Sequence, residues 1–266
     1  MHPYRLADDL KARVAARQGR PHTIDRLDPA RTALVVVDMQ NYYMAPGQQS
    51  ETPEARAIVP NINRLAAALR EAGGTVVWIE NLAPLGDDVW PSYAERCTAE
   101  RWENRTRSLT PGDVGYALWP DLDIRADDMR VVKKRFSAFT EGASDLDARL
   151  RQARIDTLLV TGVATNVCCE STARDAMMLG FRVAMVSDGC AGFSDAQHAA
   201  TWTTSTSFSA TCRRRTNCVR CFELRIGGCG RSATVALTPR LPPDALEPTA
   251  LVPVGHALHL HPRGFP

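Results

Sequence analysis

Three residues of this chain have side chains that could cooperate in hydrolysis: a cysteine, an aspartate and a lysine. Cys168 lies in the segment TNVCCESTARDA at residues 165–176, at the predicted start of a helix. A thiolate is the reactive form of cysteine, and the N-terminus of a helix lowers the pKa of a thiol beside it. Backbone N–H groups at the same helix end could stabilise an oxyanion. Cys168 is therefore a candidate nucleophile.

Cys169 directly follows Cys168, and the two side chains cannot both face one cavity. Neighbouring side chains point about 100° apart on a helix and to opposite faces of a strand. Cysteine is also a common small buried residue, so packing is the alternative role for either of them. Placement alone favours at most one nucleophile.

Asp38 and Lys133 each end a predicted strand. Asp38 closes ALVVVD and could take the proton of a thiol, although an acid at this position also fits a helix cap or a turn. Lys133 lies in MRVVKK at residues 129–134, and a lysine near an aspartate and a cysteine would hold both as anions. A solvated basic pair with Lys134 is the alternative. Both residues become catalytic candidates if the fold brings them to Cys168.

Segments typical of strands and helices alternate between residues 33 and 189. The predicted strands are 33–38, 75–81, 129–134, 156–163 and 182–189, and the predicted helices are 54–72, 144–155 and 168–180. Ser144 is a candidate cap of the second helix. The alternation predicts a three-layer α/β/α domain with a mainly parallel, doubly wound sheet. Active sites of such sheets lie beyond the carboxyl ends of the strands, where the three candidates fall.

The segment at residues 82–118 interrupts this alternation. It is mixed in character and rich in tryptophan, proline and charged residues. We predict a long loop or excursion over the site.

Composition excludes several classes of protein. The chain has 266 residues, of which 44% are hydrophobic, and contains no run of eighteen apolar residues that would indicate a transmembrane helix. Its N-terminus lacks the apolar core of a secretory signal. A net charge of +2 gives no general reason to expect nucleic acid or an anionic membrane as partner. We expect a cytoplasmic protein whose eight cysteines are reduced thiols.

The sequence changes character near residue 201. Residues 201–266 contain no lysine, many arginines and prolines, and no strand–helix alternation. A disordered basic tail is one interpretation, and a zinc site is another, although its candidate ligands include only one C-x2-C pair. Those candidates are Cys212, Cys218, Cys221 and Cys229.

We favour a third interpretation, a frameshift near Thr201. The composition, with only three lysines, suggests a GC-rich gene. Codons exist for residues 201–219 whose neighbouring frame encodes an amphipathic helix and a polar turn. The predicted organisation is therefore an N-terminal arm at 1–28, an α/β domain at 29–200 and an atypical tail at 201–266.

Three segments resemble the signature blocks of the isochorismatase-like cysteine hydrolases: ALVVVDMQNYY, VVKKRFSAF and VTGVATNVCCESTARDA. Their order and separations also fit, over residues 30–200, and the ureidoacrylate amidohydrolase and N-carbamoylsarcosine amidase branches are most similar. The resemblance implies the isochorismatase-like hydrolase fold. It also implies a catalytic triad in which Cys168 is the nucleophile, Asp38 the general base and acid, and Lys133 the cation between them. Cys169 would then pack against the sheet.

The resemblance further implies how an oxyanion would be held. Members of the family have a non-proline cis peptide before the threonine of the third block, which here is the bond between Val163 and Ala164. The oxyanion hole would consist of the N–H groups of Ala164 and Cys168.

The same resemblance narrows the reaction. True isochorismatases lack the nucleophilic cysteine, and nicotinamidases carry an aspartate and histidine metal site, whereas this chain has no histidine between His22 and His198. We therefore expect no metal and no cofactor. The expected activity is hydrolysis of a small amide or ureide C–N bond through a thioester, by a homo-oligomer (dimer or tetramer). The alternative is a catalytically impaired or non-catalytic binding protein on the same fold, owing to the altered C-terminus.

Candidates for substrate binding are residues near the predicted strand ends. Packing or capping is an equally good role for each of them. They are Asn41, Tyr42, Glu80, Asn81, Trp90, Phe136 and Phe139.

Overall fold

The computed structural model describes residues 2, 5–20, 22–24, 26–83, 90–208, 211–213 and 218. All of them belong to the larger of two compact units, at residues 1–228. The smaller unit, 229–266, lies outside the described residues, and so do two of the four candidate zinc ligands, Cys221 and Cys229.

A six-stranded sheet organises the described part of the chain, and its neighbouring strands are all parallel. The strands are β1 Thr32–Val37, β2 Thr75–Asn81, β3 Met129–Lys133, β4 Thr157–Val163, β5 Arg182–Ala191 and β6 Thr211–Arg213. Their order is β3-β2-β1-β4-β5-β6. The structure confirms the predicted doubly wound α/β fold.

Helices connect the strands. They are α1 Asp8–Gln18, α2 Asn41–Met44, α3 Glu54–Glu71, α4 Pro91–Ala94, α5 Ala99–Ser108, α6 Leu146–Gln152, α7 Glu170–Met178 and α8 Asp195–Phe208. A 3-10 turn, Pro29–Arg31, precedes β1, and a π-helical turn, Thr165–Cys169, precedes α7. No helix in the described ranges is long and apolar enough to cross a membrane.

The apolar strands place one hydrophobic core on each face of the sheet. In β1, Leu34 and Val36 pack with α3, whereas Ala33, Val35 and Val37 pack with α6 and α7 on the opposite face. Successive side chains of a strand point to opposite faces, so a strand covered on both sides must be apolar throughout. This explains the uninterrupted run at the start of the first signature block.

The structure differs from three sequence-based expectations in where segments begin or end. The segment 82–118, predicted as a loop, contains α4 and α5, and the hydroxyl of Thr98 accepts a hydrogen bond of 3.3 Å from the Arg101 N–H at the start of α5. The helical segment predicted at residue 168 begins three residues earlier, at Thr165. The domain boundary predicted at residue 200 falls inside α8, and β6 adds a further strand to the sheet.

Ser144 lies at the predicted start of the second helix. Its hydroxyl accepts a hydrogen bond of 3.1 Å from the N–H of Leu146, the first residue of α6. The same hydroxyl donates to the Ala138 carbonyl at 2.6 Å. Ser144 therefore joins the start of α6 to the segment that follows β3.

The strand order fixes where a site can form. From β1 the chain continues to β2 and β3 on one side of the sheet, whereas β4, β5 and β6 lie on the other side. In doubly wound sheets the crevice opens at this reversal, beyond the carboxyl ends of the two central strands. Here these strands are β1 and β4, which end at Val37 and Val163.

Candidate active site

Asp38, Lys133 and Cys168 meet at this crevice. Asp38 follows β1, Lys133 ends β3, and Cys168 lies in the π-helical turn after β4. The Lys133 ammonium nitrogen lies 2.8 Å from Oδ2 of Asp38 and 3.5 Å from Sγ of Cys168. The lysine and aspartate side chains are 0% and 1% exposed, and Cys168 is 5% exposed. The structure thus brings the three residues together in a buried cluster.

Local backbone geometry orients the two charged members. Asp38 has a φ of 54°, in the left-handed region that aspartate tolerates better than most residues. Its N–H still donates to the Ile79 carbonyl at 3.1 Å, which anchors the turn to β2. The Lys133 ammonium also donates to the Arg135 carbonyl at 2.9 Å. With Asp38 and Cys168 as the other acceptors, all three N–H donors of the lysine are used.

Burial and the mutual charges of the three groups shift their pKa values. It raises the pKa of Asp38, and the charge of Lys133 opposes this. Burial lowers the pKa of Lys133, but the neighbouring aspartate and cysteine outweigh it and leave that pKa raised, so the lysine stays charged. Burial raises the pKa of Cys168 to about 12, against the opposing charge of Lys133. Burial thus acts on the thiol pKa in the direction opposite to that expected from a helix N-terminus.

The π-helical turn separates the two adjacent cysteines. The N–H groups of Val167 and Cys169 both donate to the Ala164 carbonyl, at 3.1 and 3.2 Å. The peptide bond between Val163 and Ala164 is cis. Cys169 is fully buried, and its Sγ lies 3.7 Å from the Thr161 carbonyl of β4. Cys168 faces Lys133, whereas Cys169 packs on the sheet.

Asn81 joins a polar network at the end of β2. Its side-chain amide donates to the Tyr43 hydroxyl at 2.6 Å, and its N–H donates to Oε1 of Gln40 at 2.7 Å. Gln40 in turn donates to the carbonyls of Asn81 and Tyr116. Sequence reasoning missed Gln40 and Tyr43. Both are polar residues that follow Asp38 just beyond the end of β1, and this position could have marked them as candidates for the site.

Three of the predicted substrate-binding residues are engaged in other contacts. The Tyr42 hydroxyl accepts a hydrogen bond of 3.1 Å from Gln49. The Asn41 amide donates to the Val114 carbonyl at 2.8 Å. Glu80 accepts from Nε of Arg130 on β3 at 2.7 Å and forms an ion pair with it. These contacts join α2 and β2 to neighbouring segments.

An aromatic cluster contains two more of the predicted residues. The rings of Trp90 and Phe136 meet edge to face at 4.8 Å, and Tyr93 stacks on Trp90 at 5.1 Å. Phe136 follows Lys133 by three residues, which connects this cluster to the triad along the chain. Phe139 instead packs against Phe181 at 5.5 Å, as part of the apolar core.

Arg105 is a further residue that sequence reasoning missed. It lies on α5, is 5% exposed, and its charge opposes, as does that of Lys133, the rise in the pKa of Asp38 that burial causes. The helix sequence AERWENRTRS carries charged residues along its whole length, so nothing in it marks one arginine as buried. Among the described residues, no group of three or more histidine, cysteine, aspartate or glutamate side chains could hold a metal ion.

Comparison with known proteins finds relatives of this chain. The isochorismatase domain family model matches residues 32–215, a range that also extends past the boundary predicted at residue 200. A ureidoacrylate amidohydrolase of Klebsiella pneumoniae is 33% identical over 205 residues, covering 71% of this chain and 86% of that protein.

Solved structures of similar fold include two hydrolases. A cysteine hydrolase from Pseudomonas syringae pv. phaseolicola superposes with a TM-score of 0.70 at 27% identity, covering 77% of this chain and 98% of that one. The N-carbamoylsarcosine amidase from Thermoplasma acidophilum superposes with a TM-score of 0.57 at 28% identity, covering 70% and 96%.

Proposed function

Because this chain belongs to the isochorismatase family, we propose that it is a cysteine-dependent amidohydrolase that cleaves a non-peptide C–N bond of a small amide or ureide. The observation that carries the proposal is the buried cluster in which Lys133 lies 2.8 Å from Asp38 and 3.5 Å from Cys168. Relatives named as a ureidoacrylate amidohydrolase and an N-carbamoylsarcosine amidase support the type of bond.

In the first step the Cys168 sulfur attacks the substrate carbonyl carbon. Since burial raises the pKa of the thiol, its proton moves to Asp38 as the S–C bond forms rather than before. Burial also raises the pKa of Asp38, which makes it a stronger base than an exposed aspartate. Lys133 stabilises the negative charge on sulfur during the transfer, and the N–H groups of Ala164 and Cys168 stabilise the oxyanion.

In the second step the tetrahedral intermediate collapses and the C–N bond breaks. Asp38 returns its proton to the departing nitrogen, so that ammonia or an amine leaves and a thioester remains on Cys168. A water molecule then attacks the thioester carbon while Asp38 accepts its proton; the C–S bond breaks, Asp38 returns that proton to the sulfur, and the acid product leaves. The protein thereby returns to its starting protonation state.

The pocket around the reacting carbon would combine polar and aromatic groups. Asn81 and Tyr43 would contact the polar end of the substrate, and Trp90 and Phe136 would exclude water from the thioester. The predicted homo-oligomer (dimer or tetramer) and cytoplasmic location belong to this proposal. Met178 and Leu179, which follow each other at the end of α7 and are 69% and 44% exposed, are candidates for a subunit contact.

Ammonia release from a panel of small amides and ureides tests the proposal. Wild type should release ammonia from at least one member, and Cys168→Ala should lose this activity by at least about 10³-fold. Cys169→Ala is the matched control and should retain it, because Cys169 packs on the sheet. Activity that survives in Cys168→Ala would refute the cysteine mechanism. Tight binding without ammonia release would favour the alternative, a non-catalytic binding protein.

A further inference from the structure

Helix α8 contacts both ends of the turn that carries Cys168. Thr165 is the first residue of that π-helical turn, and its hydroxyl lies 2.9 Å from Nδ1 of His198 on α8. Glu170 directly follows the turn, and its Oε2 accepts a hydrogen bond of 2.9 Å from the Thr201 hydroxyl on the same helix. Residues three apart in a helix lie on one face, so two neighbouring side chains of α8 hold the beginning and the end of the turn.

The contact groups are shielded from water. Thr165, His198 and Thr201 are at most 2% exposed. A buried polar group that loses its hydrogen bond gains no water molecule in exchange, so each contact restrains both of its partners. The restrained segment is a π-helical turn, a rare geometry that often occurs at functional sites. Side chains outside the turn therefore help to fix its position.

The His198 ring is suited to such a contact and not to proton transfer. Burial lowers its pKa to about 4, and the neighbouring His2 ring acts in the same direction. The imidazole is therefore uncharged at neutral pH. Its ring also packs edge to face against Trp202, with 5.2 Å between the ring centroids. Packing and the hydrogen bond to Thr165 together fix its orientation.

The N-terminal arm contacts the His198 ring through His2. The centroids of the two imidazole rings lie 4.6 Å apart, and the rings are inclined by 32°. Nδ1 of His2 lies 2.6 Å from Oδ1 of Asp195, the first residue of α8, and Nε2 lies 3.0 Å from the backbone nitrogen of Gly192, which directly follows β5. His2 thus joins His198 to the segment from which α8 begins.

We propose that His198 is a positioning residue that, together with Thr201, holds the turn so that Cys168 stays in contact with Lys133. This inference rests on the proposed function. The sulfur and the ammonium are 3.5 Å apart, and the turn is what places the sulfur there. A displacement of the turn by about 1 Å would weaken the contact and slow the chemical step about 10²-fold, without removing a group that binds the substrate.

Steady-state kinetics of matched variants tests the proposal. His198→Phe keeps an aromatic ring and removes the hydrogen bond, so kcat should fall about 10- to 100-fold while KM changes less than about threefold. His198→Asn keeps a polar atom near the position of Nδ1 and should recover most of the lost kcat. Thr204→Val is the control on the exposed side of α8. Its hydroxyl donates to the Ala200 carbonyl within the helix, so both constants should stay unchanged.

Amide hydrogen exchange, followed by mass spectrometry, reports on the turn without any substrate. In His198→Phe, exchange in peptides that cover residues 165–170 should be at least about tenfold faster, whereas exchange in β1 should not change. Thr201→Val removes the contact at the other end of the turn and should give the same local pattern. This variant serves if His198→Phe does not fold. His2→Ala should act in the same direction but more weakly, because it reaches the turn through His198.

Three results would overturn the inference: an unchanged kcat in His198→Phe, a loss of kcat that His198→Asn does not relieve, or exchange that is unchanged in the turn or equally faster in β1. Ammonia release by wild type decides the proposed function separately. Faster exchange confined to residues 165–170, in a chain that releases no ammonia, would refute the enzyme and keep the role of α8 in holding the turn.

Discussion

The buried ion pair between Asp38 and Lys133 has a measurable consequence for stability. The two groups are 2.8 Å apart and at most 1% exposed, so neither can exchange its partner for water. Lys133→Met keeps most of the side-chain volume and removes the charge. It leaves the Asp38 carboxylate buried with no cation in contact, and removing one member of a buried pair costs about 3–5 kcal/mol.

The cost depends on pH, because Asp38 can escape it by binding a proton. Burial already raises the pKa of Asp38, and the loss of Lys133 removes the charge that opposes this rise. The folded pKa then lies further above the unfolded value of about 3.9. A raised folded pKa favours the folded state at low pH, and this advantage is lost as pH rises through that pKa. The destabilisation should therefore grow with pH, by up to about 1.4 kcal/mol per unit below the folded pKa.

Urea unfolding of wild type and Lys133→Met at pH 5 and pH 8 measures this effect. The free energy of unfolding lost on substitution should be clearly larger at pH 8. The double variant Asp38→Asn/Lys133→Met should recover most of it, because no buried charge remains. Lys134→Met is the control and should show a small, pH-independent change. A loss for Lys133→Met that is equal at both pH values, or no recovery in the double variant, would refute the reasoning.

Three further predictions concern the reaction, the sheet and the gene. Asp38 must be ionised to act as a base, and burial raises its pKa. The apparent pKa on the acidic side of the pH profile of kcat/KM should therefore lie above the ordinary aspartate value of 3.8. An apparent pKa at or below that value would contradict the role of Asp38 as base. Gly162→Ala should cost at least about 2 kcal/mol in urea unfolding, since its Cβ would meet the Val37 carbonyl oxygen and its φ is 112°. Gly180→Ala, with a φ of 89° but open space around its Cβ, is the control and should cost less. Resequencing codons 195–220 should reveal a frameshift near Thr201, and codons that forbid the alternative frame would exclude it.

The sequence was most informative where apolar runs end in charged residues. Continuous runs such as ALVVVD predict strands covered on both faces, and the carboxyl ends of such strands meet at one edge of a parallel sheet. That reasoning placed Asp38 and Lys133 near Cys168 correctly. Other features of the site depend on tertiary contacts. Burial of Arg105 on a highly charged helix, and desolvation of Cys168, depend on groups distant in sequence that no local pattern reveals.

The segment after residue 200 is a second case in which a local sequence pattern does not reveal the structure. Its composition differs from that of the preceding chain, yet α8 continues to Phe208 and Trp202 is fully buried against the sheet. The boundary predicted from composition therefore falls within a helix. The frameshift near Thr201 stays a prediction.

The measurement that tests the central claim most directly is the search for the thioester. Wild type mixed with a substrate that releases ammonia is quenched in acid within the first turnovers, digested, and analysed by mass spectrometry. The acyl or carbamoyl group should be found on Cys168, in the peptide that also contains the unmodified Cys169. Steady ammonia release with no adduct on Cys168, or with the adduct on Cys169, would contradict the mechanism.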